Sequence, residues 1–573
     1  MGKSVFSDSA EDIRALQEKV EDELSKEFKK GNGVFFTPYR IIQKLMDLAE
    51  INVGDKILDP SCAIGQFLGP IVDRLILKGK KQGLQDEELV KVITQDVYGT
   101  DINERFVKLC KKYLTEKIYR LSGLKVKFKI SKKDFLSEDC ETKFDVVIGN
   151  PPYGIPGYDP HYPIRFTRDQ KEKYKKYFKT WKGKYNIYAL FIEQGVNILK
   201  KGGRLSFIVP GTFMILNEFE KLRRYLSTIG KTEIEYLGNN VFKDAQVATV
   251  LLKVTKGKKG LILRSDNYCN EKEIYDGGLI RFEDEFTKDL EKNAPCRLGD
   301  LFDIHISARS PEVANNPFVI KTQQGEQRRG WSSNKPETKG EDTKECLEGC
   351  LPILNGRNLR PFKIDYKTDF SGYWIKADKI GTLRDYYLKK RIAVGHTKGG
   401  KIESAIDDKK YPWISDVYFL IPKNNLQLLF LNNKVKVTLK EPEPLIGMPK
   451  AFAKETKDGW YIRCSECKTK IDLEECPAPG GMTANIKKCY ECGIDMAVYP
   501  PKSKSTQSAK KREHLSLEEV TYILNSPLSQ KLMKTLYRDI TPHTTLTQLK
   551  IFPVYPIDKW RELEEKYGKD KQN

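Results

Sequence analysis

The spacing of apolar positions changes along the chain, and that change divides it. Residues 9 to 30 are acidic at the start (Glu11, Asp12, Glu18) and basic at the end (Lys26, Lys29, Lys30). This order complements a helix dipole, and Gly31-Asn32-Gly33 stops the segment, so an exposed helix is predicted there. Thr37-Pro38 predicts a second helix, with threonine as N-cap and proline in the first turn. Ile41, Ile42, Leu45, Met46 and Leu48 form its apolar side. From there to about residue 255, short apolar runs alternate with helical segments. The runs are Lys56-Ile57-Leu58, Val97-Tyr98-Gly99-Thr100, Val126 to Ile130, Phe144 to Ile148 and Leu205 to Val209. That rhythm predicts an α/β domain whose mainly parallel sheet is covered on both faces. Val247 to Val254 follows without a helix of useful length and is expected to be an antiparallel strand closing the sheet.

Past about residue 260 the βα rhythm ends and the pattern becomes irregular, which predicts a second, mixed α+β domain over residues 261–573. Residues 315–344 are polar and read as a long loop. Residues 502–512 have linker composition and a run of basic residues, either a solvated loop or an arm that contacts phosphates. No internal repeat is visible. Composition sharpens this picture. Hydrophobic residues make up 39% of the 573, enough for sizeable cores, while 100 Lys and Arg face 79 acids, a net charge of +21. Such an excess suits a polyanionic partner, and nucleic acid leads. No apolar stretch is long enough to span a bilayer, and the first residues carry no apolar signal core, so a cytoplasmic, nucleoid-associated protein is expected. Twelve mostly scattered cysteines fit a reducing compartment better than a disulfide framework.

Candidate chemistry sits at successive strand ends. Asp59-Pro60-Ser61-Cys62-Ala63-Ile64-Gly65 is a small-residue loop between a strand and a helix, where a ligand can approach the backbone. Asp101 closes the next strand, where an acid can accept from a ribose diol. Asp134-Phe135 pairs an acid that can take an adenine amino group with a ring that can stack on it. Phe144 to Ile148 then leads into Gly149-Asn150-Pro151-Pro152-Tyr153. The two prolines keep this segment extended. The Asn150 side-chain oxygen and the Pro151 carbonyl can then aim at one amino group, while Tyr153 offers a flat face to a base.

These motifs resemble the gamma-class N6-adenine DNA methyltransferases of restriction–modification systems, most closely the TaqI type, over about residues 30 to 255. Gly33 to Pro38, with Phe36, Thr37 and Pro38, is similar to the family's N-terminal cofactor motif; residues 57 to 68, Asp101 with Ile102, and Asp134-Phe135 are similar to the next three. Asn150 to Tyr153 resembles the catalytic motif, Tyr185 to Glu193 and Leu199 to Pro210 the elements that follow, and residues 241–250, with Phe242, the last catalytic-domain motif. The resemblance implies a Rossmann-like domain at 31–260 with a seven-stranded sheet, preceded by a helix at 1–30 and followed by a target-recognition domain. It implies S-adenosylmethionine as cofactor, held by Phe36, Thr37, Pro38, Asp59, Pro60, Cys62, Ala63, Gly65, Asp101, Ile102, Asp134, Phe135 and Asn150. It implies double-stranded DNA as substrate, with an adenine flipped out and held by Tyr153 and Phe242, in a monomer. A cognate restriction endonuclease would be a functional partner. In one departure from the family's motif, Ala63 stands where a glycine is common; alanine is expected to serve there with φ below zero.

Cys464-Ser465-Glu466-Cys467 and Cys489-Tyr490-Glu491-Cys492 read as a four-cysteine zinc ribbon over 460–497, with Cys476 spare. In the recognition half, residues 353–360 and 413–418 resemble segments of target-recognition domains more loosely. Arg357, Arg360, His396, Lys398 and Lys401 are candidate phosphate or base contacts. His305 and His514 show no sequence partner and read as structural. Competing readings are an RNA or protein-glutamine methyltransferase using the same Asn-Pro-Pro-Tyr site, and a DNA-binding module without catalysis. No nuclease motif stands out, so modification without cleavage is expected.

Overall fold

The computed structural model describes Ile13 and residues 37–573 except 138–139, 158–163, 184, 243–247, 322–340, 343–348, 397–400, 416, 424–425, 432–433, 440–449, 453, 457–458, 465, 474–484, 500–514, 542 and 569–573. The helix expected at 9–30 lies outside the described residues apart from Ile13. The chain forms two compact units. The first comprises residues 1–287, 399–401 and 532–545, and the second 288–398, 402–531 and 546–573. Among the described residues no helix is long and apolar enough to cross a membrane.

The first unit is built on one nine-stranded sheet. Its strands are β1 (Ile57–Asp59), β2 (Val97–Asp101), β3 (Lys129–Lys132), β4 (Phe144–Gly149), β5 (Leu199–Pro210), β6 (Gly230–Gly238), β7 (Thr249–Lys256), β8 (Leu261–Ser265) and β9 (Tyr268–Lys272), in the order β9-β8-β6-β7-β5-β4-β1-β2-β3. β3, β2, β1, β4 and β5 run parallel, and β7 is antiparallel to both β5 and β6. Helix α1 (Tyr39–Ala49) precedes β1, and the helices between the strands are α2 (Leu68–Lys81), α3 (Asp86–Asp96), α4 (Glu104–Ser122), α5 (Arg168–Tyr177), α6 (Ile187–Asn197) and α7 (Glu220–Ile229). The strand order reverses between β1 and β4, and ligands in such sheets bind beyond the carboxyl ends at that switch.

The sheet differs from the sequence expectation in three ways. It has nine strands where seven were expected, because β8 and β9 add at the β6 edge, past the cut expected at residue 260. β7 does not close the sheet but lies inside it, between β5 and β6. β6 was not anticipated: Thr232 and Ile234 are buried while Lys231, Glu233 and Glu235 alternate with them, so charge masks the strand. The run Val126 to Ile130 reaches the sheet only at Lys129. Residues 532–545 complete this unit from far along the chain: Phe282 N donates to Leu536 O (3.0 Å), and the Arg538 guanidinium lies 3.9 Å from the Phe282 ring centre and 5.3 Å from that of Tyr236.

The second unit contains a four-stranded antiparallel sheet of β10 (Phe302–Ile306), β11 (Arg391–Gly395), β12 (Ser404–Asp407) and β13 (Val417–Pro422), in the order β10-β13-β11-β12. Its core packs Trp413, Tyr387, Phe419, Ile375 and Leu354. Inside it, Arg391 and Asp407 form a fully buried ion pair, and Asp407 also accepts from Trp413 Nε1 (2.9 Å) and Tyr366 Oη (3.0 Å). Buried charges persist only when hydrogen-bonded in this way. The segment expected as a loop at 315–344 has a strand at each described end. Val319–Lys321 pairs with Tyr373–Lys376, and Glu341–Asp342 with Thr368–Asp369.

Candidate active site

The site forms where β1, β2 and β4 end. Asp59, 1% exposed, accepts Ser61 N (3.0 Å). Burial pushes its carboxyl up to about 8, helped by Asp101 and opposed by the Ser61 amide. Gly149 allows this approach, since a Cβ there would sit 2.7 Å from Asp59 Oδ1. Asp101 accepts Ala63 N (3.0 Å) and Asn103 N (2.8 Å), and burial raises its pKa against those two donors. Thr100 Oγ1 donates to the Pro60 carbonyl (3.2 Å), and the buried Cys62 donates its N–H to Thr100 O (2.9 Å). Ile102 is exposed beside them.

Ala63 corrects the sequence reading: its φ is +43°, not negative. The loop turns left-handed there so that the Ala63 amide faces Asp101, a conformation that costs alanine roughly 1–2 kcal/mol. Gly65, two residues on, takes φ +92°. Asp134 accepts Leu136 N through Oδ1 and the Tyr174 hydroxyl through Oδ2 (2.8 Å). Phe135 is buried, with its ring 5.3 Å from that of Phe191.

Thr37 departs from expectation too. Helix α1 begins at Tyr39, Pro38 holds the cap position, and no side chain caps it. The Thr37 hydroxyl instead accepts from Asn150 Nδ2 (3.1 Å). The buried Gln66 carboxamide grips the Thr37 backbone at both ends, accepting from Thr37 N and donating to Thr37 O, each at 3.1 Å. Ser61 Oγ donates to the Asn150 carbonyl (3.1 Å). Asn150 is thereby tied to the loop after β1 directly through its backbone and, by way of Thr37 and Gln66, through its side chain. Phe36 lies outside the described residues.

After Asn150, Pro151 is buried and Pro152 half-buried. Tyr153, 8% exposed, donates its hydroxyl to Ile208 O (3.0 Å) and meets Phe242 edge-on at 6.1 Å and Tyr188 at 6.2 Å. Burial drives the Tyr153 phenol well above its ordinary pKa, so it stays neutral. Gly154 N donates to Asn186 Oδ1 (2.9 Å), which anchors the segment to the start of α6. The structure therefore gathers the predicted Thr37, Asp59, Ala63, Asp101, Asn150, Tyr153 and Phe242 in one unit. Sequence reasoning assigned no role to Gln66, Ser61, Asn186 or Tyr174. The first three lay inside quoted runs, whereas nothing in the sequence marks Tyr174.

The four predicted cysteines also meet. Each C-x-x-C occupies the turn of an antiparallel hairpin, Gly459–Arg463 with Lys470–Leu473 and Asn485–Lys488 with Asp495–Tyr499. Cys464 Sγ and Cys492 Sγ lie 3.5 Å apart, as do those of Cys467 and Cys489, and all four sulfurs fall within 4.8 Å of one another. The two turns match: Cys464 N donates to Thr469 O and Cys489 N to Ile494 O, and the residue after each second cysteine is left-handed (Lys468 φ +63°, Gly493 φ +72°). The Thr469 hydroxyl and amide hold the Cys467 thiol down to about 6. Cys476 lies outside the described residues.

The two loosely matched segments, residues 353–360 and 413–418, touch. Leu354 N donates to Pro412 O and Ile414 N to Leu354 O, both at 2.8 Å. Arg357, Arg360 and Lys401 are exposed, His396 is half-buried against Tyr418, and Lys398 lies outside the described residues. His305 has a partner after all, stacking on Tyr386 at 4.6 Å. His514 lies outside the described residues.

Residues 95–242 match the Eco57I restriction-modification methylase family, and residues 351–439 the TaqI-like C-terminal specificity domain. Type II methyltransferase M.TthHB8I of Thermus thermophilus is 36% identical over 406 residues, covering 69% of this chain and 82% of that protein. Modification methylase CviBIII of Paramecium bursaria Chlorella virus NC1A is 26% identical over 257 residues, 44% of this chain and 57% of that one. Among solved structures, the fold resembles the chain in a DrdV–DNA complex (TM-score 0.50, 11% identity), with 76% of this chain aligned to 54% of that one.

Proposed function

Because the chain belongs to the restriction–modification DNA methyltransferases of the Eco57I and TaqI-like type, we propose that it transfers a methyl group from S-adenosylmethionine to the N6 amine of an adenine flipped out of duplex DNA, without cleaving the strand. The observation that carries this reading is the Asn150 amide, held beside the cofactor loop by Thr37 and Ser61 and followed by the Tyr153–Phe242 ring pair.

An exocyclic adenine amine is a poor nucleophile because its lone pair is delocalised into the ring. The Asn150 oxygen and the Pro151 carbonyl accept its two hydrogens and favour a pyramidal nitrogen aimed at the methyl carbon. Bound S-adenosylmethionine supplies that methyl on a positively charged sulfur. As the N–CH3 bond forms, the S–CH3 bond would break and leave a neutral thioether, and the extra proton on nitrogen would pass by way of the Asn150 and Pro151 oxygens to solvent; no enzyme nucleophile is needed, and the residues act by positioning and desolvation. Flipping the base costs a few kcal/mol, and stacking on Tyr153 and Phe242, worth about 1–3 kcal/mol per base, offsets it. Ala63 and Asp101 would line the cofactor side, and Asp134 would take the amino group of the cofactor's adenine. The exposed Arg357, Arg360 and Lys401 serve as phosphate or base contacts.

The cysteine cluster fits zinc. A tetrahedral ion with bonds of about 2.3 Å sets its sulfurs about 3.8 Å apart, close to the observed spacing. Four protein ligands leave no open position, so the ion would be structural. The test of the main reading is incubation with labelled cofactor and duplex DNA, RNA or protein, followed by mass analysis of the modified base. N6-methyladenine in DNA is expected, and Asn150→Ala abolishes most of the rate while leaving cofactor affinity near wild type. Methylation confined to RNA or protein, or a fully active Asn150→Ala, refutes it.

A further inference from the structure

We infer that Gln66 and Thr37 are positioning residues that set the orientation of the Asn150 amide. The inference rests on the catalytic role proposed for Asn150. A carboxamide can be turned end for end with little change in shape, but only one orientation presents an oxygen to the target amine. In the structure the Thr37 hydroxyl accepts from Asn150 Nδ2 at 3.1 Å, which turns the amide nitrogen toward Thr37 and the oxygen away from it. Thr37 must itself be held, because helix α1 gives it no capping bond. Gln66 holds it through the reciprocal pair of 3.1 Å bonds to the Thr37 N–H and carbonyl, in a setting where Thr37 is 1% and Gln66 6% exposed. Buried bonds of this kind face little competition from water. The chain of contacts runs from the loop after β1 through Thr37 to Asn150, so the segments expected to bind cofactor also set the geometry of the acceptor for the base. Ser61 Oγ fixes the Asn150 carbonyl from the same loop, leaving the side chain as the part that Thr37 must orient.

The test compares Thr37→Val, which keeps shape but loses the hydroxyl, with Thr37→Ser, which keeps it, and Gln66→Leu with wild type. Single-turnover methyl transfer, cofactor affinity by calorimetry and melting temperature are measured for each on a duplex DNA substrate. Misplacing a reacting group by about an ångström costs up to roughly 100-fold in rate. Thr37→Val is expected to lose rate on that scale, with a far smaller change in cofactor affinity, and Thr37→Ser to recover most of it. Gln66→Leu should show the same split between rate and affinity. If Gln66→Leu fails to fold, the Thr37 pair decides alone, since it leaves the clamp intact. A wild-type rate in Thr37→Val, no recovery in Thr37→Ser, or equal losses of rate and affinity overturns the inference. Asn150→Ala runs beside them: if it is fully active, the catalytic reading has failed, whereas an inactive Asn150→Ala beside an active Thr37→Val removes only the positioning role.

Discussion

Asp59 binds a proton in the folded chain over a pH range where the unfolded chain has lost it. Its carboxyl sits at about 8 when buried, against roughly 4 in an unfolded chain. The folded state therefore holds more protons between those values, and stability falls as pH rises through that window. Asp59→Asn keeps an acceptor for the Ser61 amide and removes the titration. Its melting temperature is expected to gain on wild type from about pH 4 to about pH 8 and to hold that gain above it. A difference that does not change with pH would show that Asp59 ionises normally. At this scale, the acids and Asn150 to Tyr153 were legible because their chemistry lies in local runs at strand ends. Gln66 and Tyr174 were not, because each acts on a partner 29 or 40 residues away with no local signal. Ala63 misled because side-chain size says nothing of the φ that its amide needs to reach Asp101.

The elements repeat that division. The parallel strands β1, β2 and β4 were readable from apolar runs, whereas β6 hid behind charges on its alternate face and β9 behind an alternation of half-buried and exposed positions. The paired cysteine hairpins were legible from spacing alone, because two C-x-x-C turns have few other uses. Their buried core is small (Ala451, Ile462, Ile471 and Met496 with two of the cysteines), so metal binding should supply much of the folding free energy there. Purified, reduced protein is expected to carry one zinc per chain. Cys489→Ser should lose it and weaken DNA binding while cofactor binds as before. A metal content near zero in intact wild type, or cofactor affinity lost together with the zinc, would contradict this.

Across the whole molecule, the net charge of +21 predicts a steep salt dependence of DNA affinity, with log K falling by about 0.9 per phosphate neutralised for each tenfold rise in salt. An affinity flat from low to physiological salt would assign the basic surface to another role. The other molecule-wide feature is the return of residues 532–545 to the first unit, where Leu536 and Arg538 meet Phe282. A ribosome makes about 5–20 residues per second, so after Thr287 emerges the nascent catalytic unit waits roughly 12–50 s for the segment that completes it. During that interval Phe282 and Tyr236 lack the contacts that Leu536 and Arg538 make with them. Expression of a fragment ending near residue 287 would make that temporary lack permanent, which gives a physical reason for such a fragment to be far harder to keep in solution than the whole chain.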